Sequence, residues 1–196
     1  GAAAMIVLHG RQLQLTVHFS FFAVLLLLTQ LTRSDWGLWC VGACLLHEAG
    51  HILAYSAFGA FPKAIHLEAG GIRIVPPDRP LPPKAEELVL LAGPLFNLLC
   101  GGALLAIRCP YAAGFHLLLG AFNLLPLPAL DGGQLLELLA EHRLSLRAAD
   151  RLCFWVGLLT LMPLLSGGWL LFRRTGNFTL LLTLFTLLTA AFPGKN

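Results

Sequence analysis

Apolar residues come in six long runs, near 15–32, 36–58, 87–107, 111–130, 152–172 and 177–193, separated by short polar connections. A helix needs about 20 mostly apolar residues to cross a bilayer core, so the pattern predicts about six transmembrane helices. Two connections have patterns of their own. From Lys63 to Val75, polar and apolar positions alternate on both sides of Gly70-Gly71, which predicts a β-hairpin. The proline-rich run Pro76 to Pro83 ends it and cannot be helix. Between 134 and 151, leucines at 135, 138, 139, 144 and 146 recur among Glu137, Glu141, Arg143 and Arg147. That segment reads as an amphipathic helix on the membrane surface or as a plain polar connector. The expected fold is an all-α polytopic membrane protein with a small membrane-associated β-hairpin.

Composition strengthens this picture. Hydrophobic residues make up 57% of the 196 and charged residues 12%, with mean hydropathy +0.78, about half the charge of a soluble domain. One membrane domain over 5–196 is expected, with its catalytic core at about 36–135. Gly1 to Ala4, ahead of Met5, are read as appended residues. The net charge of +3 is small and dispersed, which argues against nucleic acid as a partner and leaves the lipid bilayer. One set of alternate loops carries the larger share of the 13 Lys and Arg, so both termini are expected on the cytoplasmic side. The five cysteines lack pair spacing and read as small core residues.

The chemistry concentrates in Cys44-Leu-Leu-His47-Glu48-Ala-Gly-His51, inside the second apolar run. Histidines four apart share one face of a helix and can bind one zinc ion from one side. Glu48 can reach a water in a remaining zinc position and take its proton. Ionisable residues in lipid are costly and usually functional, which weighs against two ordinary core histidines. A catalytic zinc takes three protein ligands plus water. Cys44 shares the histidine face, but a helix rises about 10 Å from residue 44 to 51, too far for one ion with bonds of about 2 Å. Asp131, in Asn123-Leu-Leu-Pro126-Leu-Pro128-Ala-Leu-Asp131-Gly132-Gly133, is the best third ligand; its plainer reading is a helix N-cap. His116 lies too far along its helix to join the ion and reads as a buried histidine paired with a backbone carbonyl.

Taken together, His47-Glu48-Ala-Gly-His51, Gly93-Pro-Leu-Phe-Asn97 and the Asn123–Gly133 stretch resemble the site-2 protease family of intramembrane zinc metalloproteases, over roughly 40–135. The layout is closest to the branch that processes a pro-sigma factor in sporulation. It departs from that branch in having no nucleotide-sensing module after the last span, and Phe19 where proline is expected after His18. The resemblance implies one catalytic Zn2+ on His47, His51 and Asp131, with Glu48 as general base and later acid. It places Asn97 and Asn123 near the site, either as donors to a tetrahedral oxyanion or as interhelical hydrogen-bond partners. It puts Gly70, Gly71 and Ile72 where a substrate strand can add to the hairpin edge. The expected function is endoproteolysis of a transmembrane or membrane-associated protein near the cytoplasmic face of a bacterial cell membrane. A membrane inhibitor or regulator protein is an expected partner. A metal transporter and an inactive substrate-binding relative are the rival readings. A transporter leaves Glu48 and the hairpin unexplained; the complete ligand and base set weighs against an inactive relative.

Overall fold

Small and polar residues face inward along the first helices, and large apolar ones face outward, the reverse of a water-soluble core. The computed structural model describes residues 4–9, 14–20, 23, 26, 36–68, 71–78 and 80–191. Its helix α1 (Trp36–Ala57) buries Gly37, Ala43, His47, Gly50 and His51. Helix α2 (Pro83–Ala106) buries Ala85, Val89, Gly93, Asn97 and Gly101, an unbroken i, i+4 row, together with Pro94. Helix α3 (Pro110–Asn123) buries Ala112, His116 and Gly120, again four apart, and Ala113. Leu99 and Leu118, by contrast, are 72% and 71% exposed. Lipid offers no hydrophobic drive between helices, so close approach of small residues holds such bundles together. Gly50 shows it directly: a methyl there would stand 2.9 Å from Phe96 Cβ and 2.7 Å from the Ala92 carbonyl oxygen.

The chain divides into two units, Gly1–Ala121 and Phe122–Asn196, each described by itself. The first also contains a four-stranded sheet of β1 (Ala4–His9), β2 (Gln14–His18), β3 (Ala64–Glu68) and β4 (Gly71–Val75), in that spatial order. The expected hairpin is β3–β4, antiparallel with Ile65 opposite Ile74 and Leu67 opposite Ile72. It is half of the sheet: β2 pairs parallel with β3, and β1 antiparallel with β2. Thus residues 15–18, expected to open the first span, are strand. Of that span only Phe19, Ser20, Ala23 and Leu26 are among the described residues, and Gly70 of the hairpin turn lies outside them. Outer strand β4 packs against α1, which brings the sheet to the helix bearing the histidines.

The second unit holds α4 (Asp131–Glu141), α5 (Leu146–Thr175) and α6 (Thr179–Ala191). Of the two readings of 134–151, amphipathic helix or polar connector, each holds in part: the chain is helical through α4, leaves it at His142 and re-enters a helix after Ser145. Serine is a favoured residue just before a helix, and Gly176 closes α5 in the left-handed conformation at φ 70°. Among the described residues three helices, α1, α2 and α5, are long and apolar enough to cross a membrane. Helices α3 and α6, in the fourth and sixth expected spans, have 14 and 13 residues.

Candidate metal centre

The two histidines of α1 are both buried, His47 to 5% and His51 to 7% exposure. Their Nε2 atoms stand 3.2 Å apart. Two ligand nitrogens on a tetrahedral zinc, with bonds of 2.0–2.1 Å, are separated by about 3.3 Å, so the pair is spaced as zinc ligands are. The approach is made by ring orientation: the imidazoles meet edge to face, 81° apart with centroids 4.8 Å from each other.

Each ring is held from behind by α2. His51 Nδ1–H donates to the Val89 carbonyl oxygen at 2.7 Å, which fixes the tautomer and leaves Nε2 with its lone pair toward His47. Gly93, one turn further along α2, makes room for that ring. A methyl there would meet Nε2 of His51 and stand 2.7 Å from Cε1 and 2.8 Å from Cδ2. Behind His47, its Nδ1 lies 3.3 Å from Asn97 Nδ2, and Asn97 Oδ1 lies 3.0 Å from His116 Nδ1. Asn97 is fully buried and His116 is 4% exposed. The expected backbone partner of His116 is therefore replaced by the Asn97 side chain. The Asn97 amide thus joins imidazoles on two other helices, as the interhelical partner that was one of its two expected roles.

Glu48, beside His47 on α1, is half-buried. Cys44 is half-buried and free. In the second unit Asp131 is half-buried in the first turn of α4. The N-cap position is Leu130, and no side chain caps the helix by hydrogen bond, so the plain capping account of Asp131 does not describe this turn. The glycines after it have a steric task. A methyl at Gly132 would strike the Leu124 carbonyl, and one at Gly133 the Leu127 carbonyl. The Gly-Gly pair thus lets the loop through Pro126 and Pro128 fold back on the start of α4. Asn123 closes α3, half-buried. Gly71 and Ile72 begin β4, and Ile72 is half-buried. Sequence reasoning missed Val89, Gly93 and His116 as parts of the site. The i, i+4 rows of small and polar residues on α2 and α3 were the available signal for the last two.

The sequence profile described as "Peptidase family M50" matches residues 108–164, which contain Asn123, Asp131 and the Gly-Gly pair. A zinc metalloprotease of Methanocaldococcus jannaschii is 27% identical over 137 residues, covering 63% of this chain and 40% of the relative. The chain thus matches well under two thirds of that relative's length. The solved structure of a site-2 protease from Methanocaldococcus jannaschii superposes with TM-score 0.68 at 22% identity, over 97% of this chain and 95% of the other, and shows a shared fold. The chain is thus similar to M50 peptidases over residues 108–164 and shares the fold of a solved site-2 protease.

Proposed function

We propose that the chain is an intramembrane zinc metalloendopeptidase that cuts a membrane-associated or transmembrane protein near the cytoplasmic face. The observation that carries it is the pair of buried Nε2 atoms 3.2 Å apart, each ring braced from α2. The donors fit zinc: His47 and His51 supply imidazoles, and Asp131 is the proposed third ligand, a carboxylate as catalytic zinc sites accept. Zinc bound there would supply Lewis acidity and a water acidic enough to lose its proton near neutral pH. Glu48 would serve as the general base that holds the proton of the attacking water and passes it to the leaving amine. Asn123 remains the candidate amide donor to the oxyanion that develops on the scissile carbonyl. A substrate strand adding to β4 at Gly71 and Ile72 would be held extended beside α1, where a helix would shield its own peptide bonds. Within this class a pro-sigma factor is the substrate that the resemblance implies, with a membrane-bound inhibitor or regulator as a further partner.

The test compares wild type with Glu48→Gln, purified for metal analysis and co-expressed with a tagged pro-sigma factor. Equal zinc in both and cleavage only by wild type is the expected result. Equal cleavage by Glu48→Gln would refute the mechanism. Zinc flux into vesicles that survives Glu48→Gln, without proteolysis, would favour transport.

A further inference from the structure

Helix α5 is longer than a bilayer needs, and its charges mark where the bilayer ends. Its 30 residues carry Arg147, Asp150 and Arg151 near one end and Arg173 and Arg174 at the other. Residues 152–172 hold no charge, and at 1.5 Å per residue Arg151 and Arg173 are about 33 Å apart. A bilayer core is about 30 Å thick, so Asp150 and its neighbouring arginines stand at headgroup level.

A cavity of about 370 Å³ lies within the second unit, between α5, α4 and the Pro126–Pro128 loop. Sites for small, mostly apolar ligands begin at about 300 Å³. Along α5 its wall runs from Asp150 through Phe154 and Gly157 to Leu161, one face of the helix. That stretch is about 16 Å long, half the thickness of a bilayer core and the depth open to one acyl chain. Gly157 gives the cavity its width: a methyl there would meet nothing closer than the Pro126 carbonyl oxygen at 3.6 Å. Charge gathers at the headgroup end. Glu137 of α4 and Asp150 of α5 both line the cavity, equally far in sequence from the turn 142–145 that joins their helices. Both are exposed, and neither forms an ion pair among the described residues. Arg147, one turn before Asp150 on the same face, and Arg151 are exposed and unpaired as well.

We propose that this cavity binds an aminophospholipid, with the primary ammonium on Glu137 and Asp150, the phosphate on Arg147 and Arg151, and one acyl chain reaching past Gly157 to Leu161. The charges select this class among membrane lipids. Two unpaired carboxylates call for a cation, and a primary ammonium brings three N–H donors to them. A phospholipid with a hydroxylated headgroup brings no cation, and both carboxylates repel its phosphate. The arginines beside them suit the phosphate, because a guanidinium pairs with two phosphate oxygens at once. A basic side chain of a protein would satisfy the carboxylates but leave the deep half of the cavity unfilled. Pro126, Pro128 and Gly133 form the opposite wall, so the lipid would pack against the loop that leads into α4. The proposal rests on α5 crossing the membrane and is independent of zinc.

The experiment titrates the delipidated full chain in detergent with dioleoyl phosphatidylethanolamine or dioleoyl phosphatidylglycerol, read by native mass spectrometry. The first phosphatidylethanolamine should bind about tenfold tighter than the first phosphatidylglycerol, the scale of one charge-assisted hydrogen bond. Glu137→Gln combined with Asp150→Asn should erase that difference. Arg147→Ala combined with Arg151→Ala should weaken both lipids by a similar factor, since both carry the phosphate. Gly157→Leu, whose side chain occupies the path of the acyl chain, should weaken phosphatidylethanolamine by about tenfold. Equal affinity for the two lipids in wild type, or a preference that survives in the Glu137→Gln, Asp150→Asn protein, overturns the proposal. Unchanged lipid binding by Gly157→Leu does so too. A wild-type dimer that Gly157→Leu dissociates, with no lipid preference, would assign the cavity to a second copy of the chain instead. If Gly157→Leu does not fold, the wild-type preference and the carboxamide variant decide.

Discussion

Substituting Gly93 with alanine tests whether α2 builds the site by leaving a space. The added methyl would lie 2.7 Å from His51 Cε1 and 2.8 Å from Cδ2, where carbon atoms prefer about 3.5–4.0 Å. Either the ring or the helix must therefore retreat by about 1 Å. His51 is tethered to the Val89 oxygen at 2.7 Å, and a retreat of that size carries the bond past hydrogen-bonding range. Zinc ligands tolerate displacements of only about 0.2 Å. A lost hydrogen bond of about 1 kcal/mol and overpacking of about 1–3 kcal/mol together imply zinc binding weaker by roughly 100-fold. The assay is zinc competition with a chelator, with circular dichroism to establish that the helices persist. Gly102→Ala, on the same helix with nothing within 4 Å of the new methyl, is the control and should bind zinc as wild type does. Equal affinity of Gly93→Ala and Gly102→Ala would refute the claim that this glycine seats the His51 ring.

Glu48→Gln should retain its zinc and lose cleavage by about 100-fold or more, the scale of a missing general base, read by metal analysis beside substrate turnover. Asp131→Ala should lose zinc, whereas Cys44→Ser should keep it, because one helix cannot bring Cys44 and His51 to a common ion; the reverse order of affinities would exchange the third ligand. Gly133→Ala sets a methyl against the Leu127 carbonyl, backbone that cannot rotate away, and should cost about 1–3 kcal/mol. Its melting temperature should fall by several degrees, while Gly167→Ala, whose methyl meets nothing within 4 Å, should melt with wild type.

The elements best legible in the sequence were those with a strong local period. Histidines four apart placed two imidazoles on one face of α1, and alternation around Gly70-Gly71 fixed the pairing of β3 with β4. Strands β1 and β2 were hidden for a physical reason. Residues 15–18 run on into a longer apolar stretch, so their alternation is masked, and β2 pairs with a strand some fifty positions away. The break between α4 and α5 had a local signal in Ser145, overridden by the continuing leucine pattern. The braces of the site were illegible because each joins separate helices. Val89 and His51 are 38 positions apart, Asn97 and His47 are 50 apart, and no period along a single helix reports such contacts. What the sequence did carry was the inverted pattern of α2 and α3, with glycine, alanine, asparagine and histidine repeating where a soluble helix has leucine.

The most direct test of the account is X-ray absorption at the zinc edge on the purified chain. One zinc per chain, with two imidazole nitrogens and oxygen ligands at about 2.0–2.2 Å, is the predicted result. A sulfur ligand at about 2.3 Å, or a chain that binds no zinc, would contradict it.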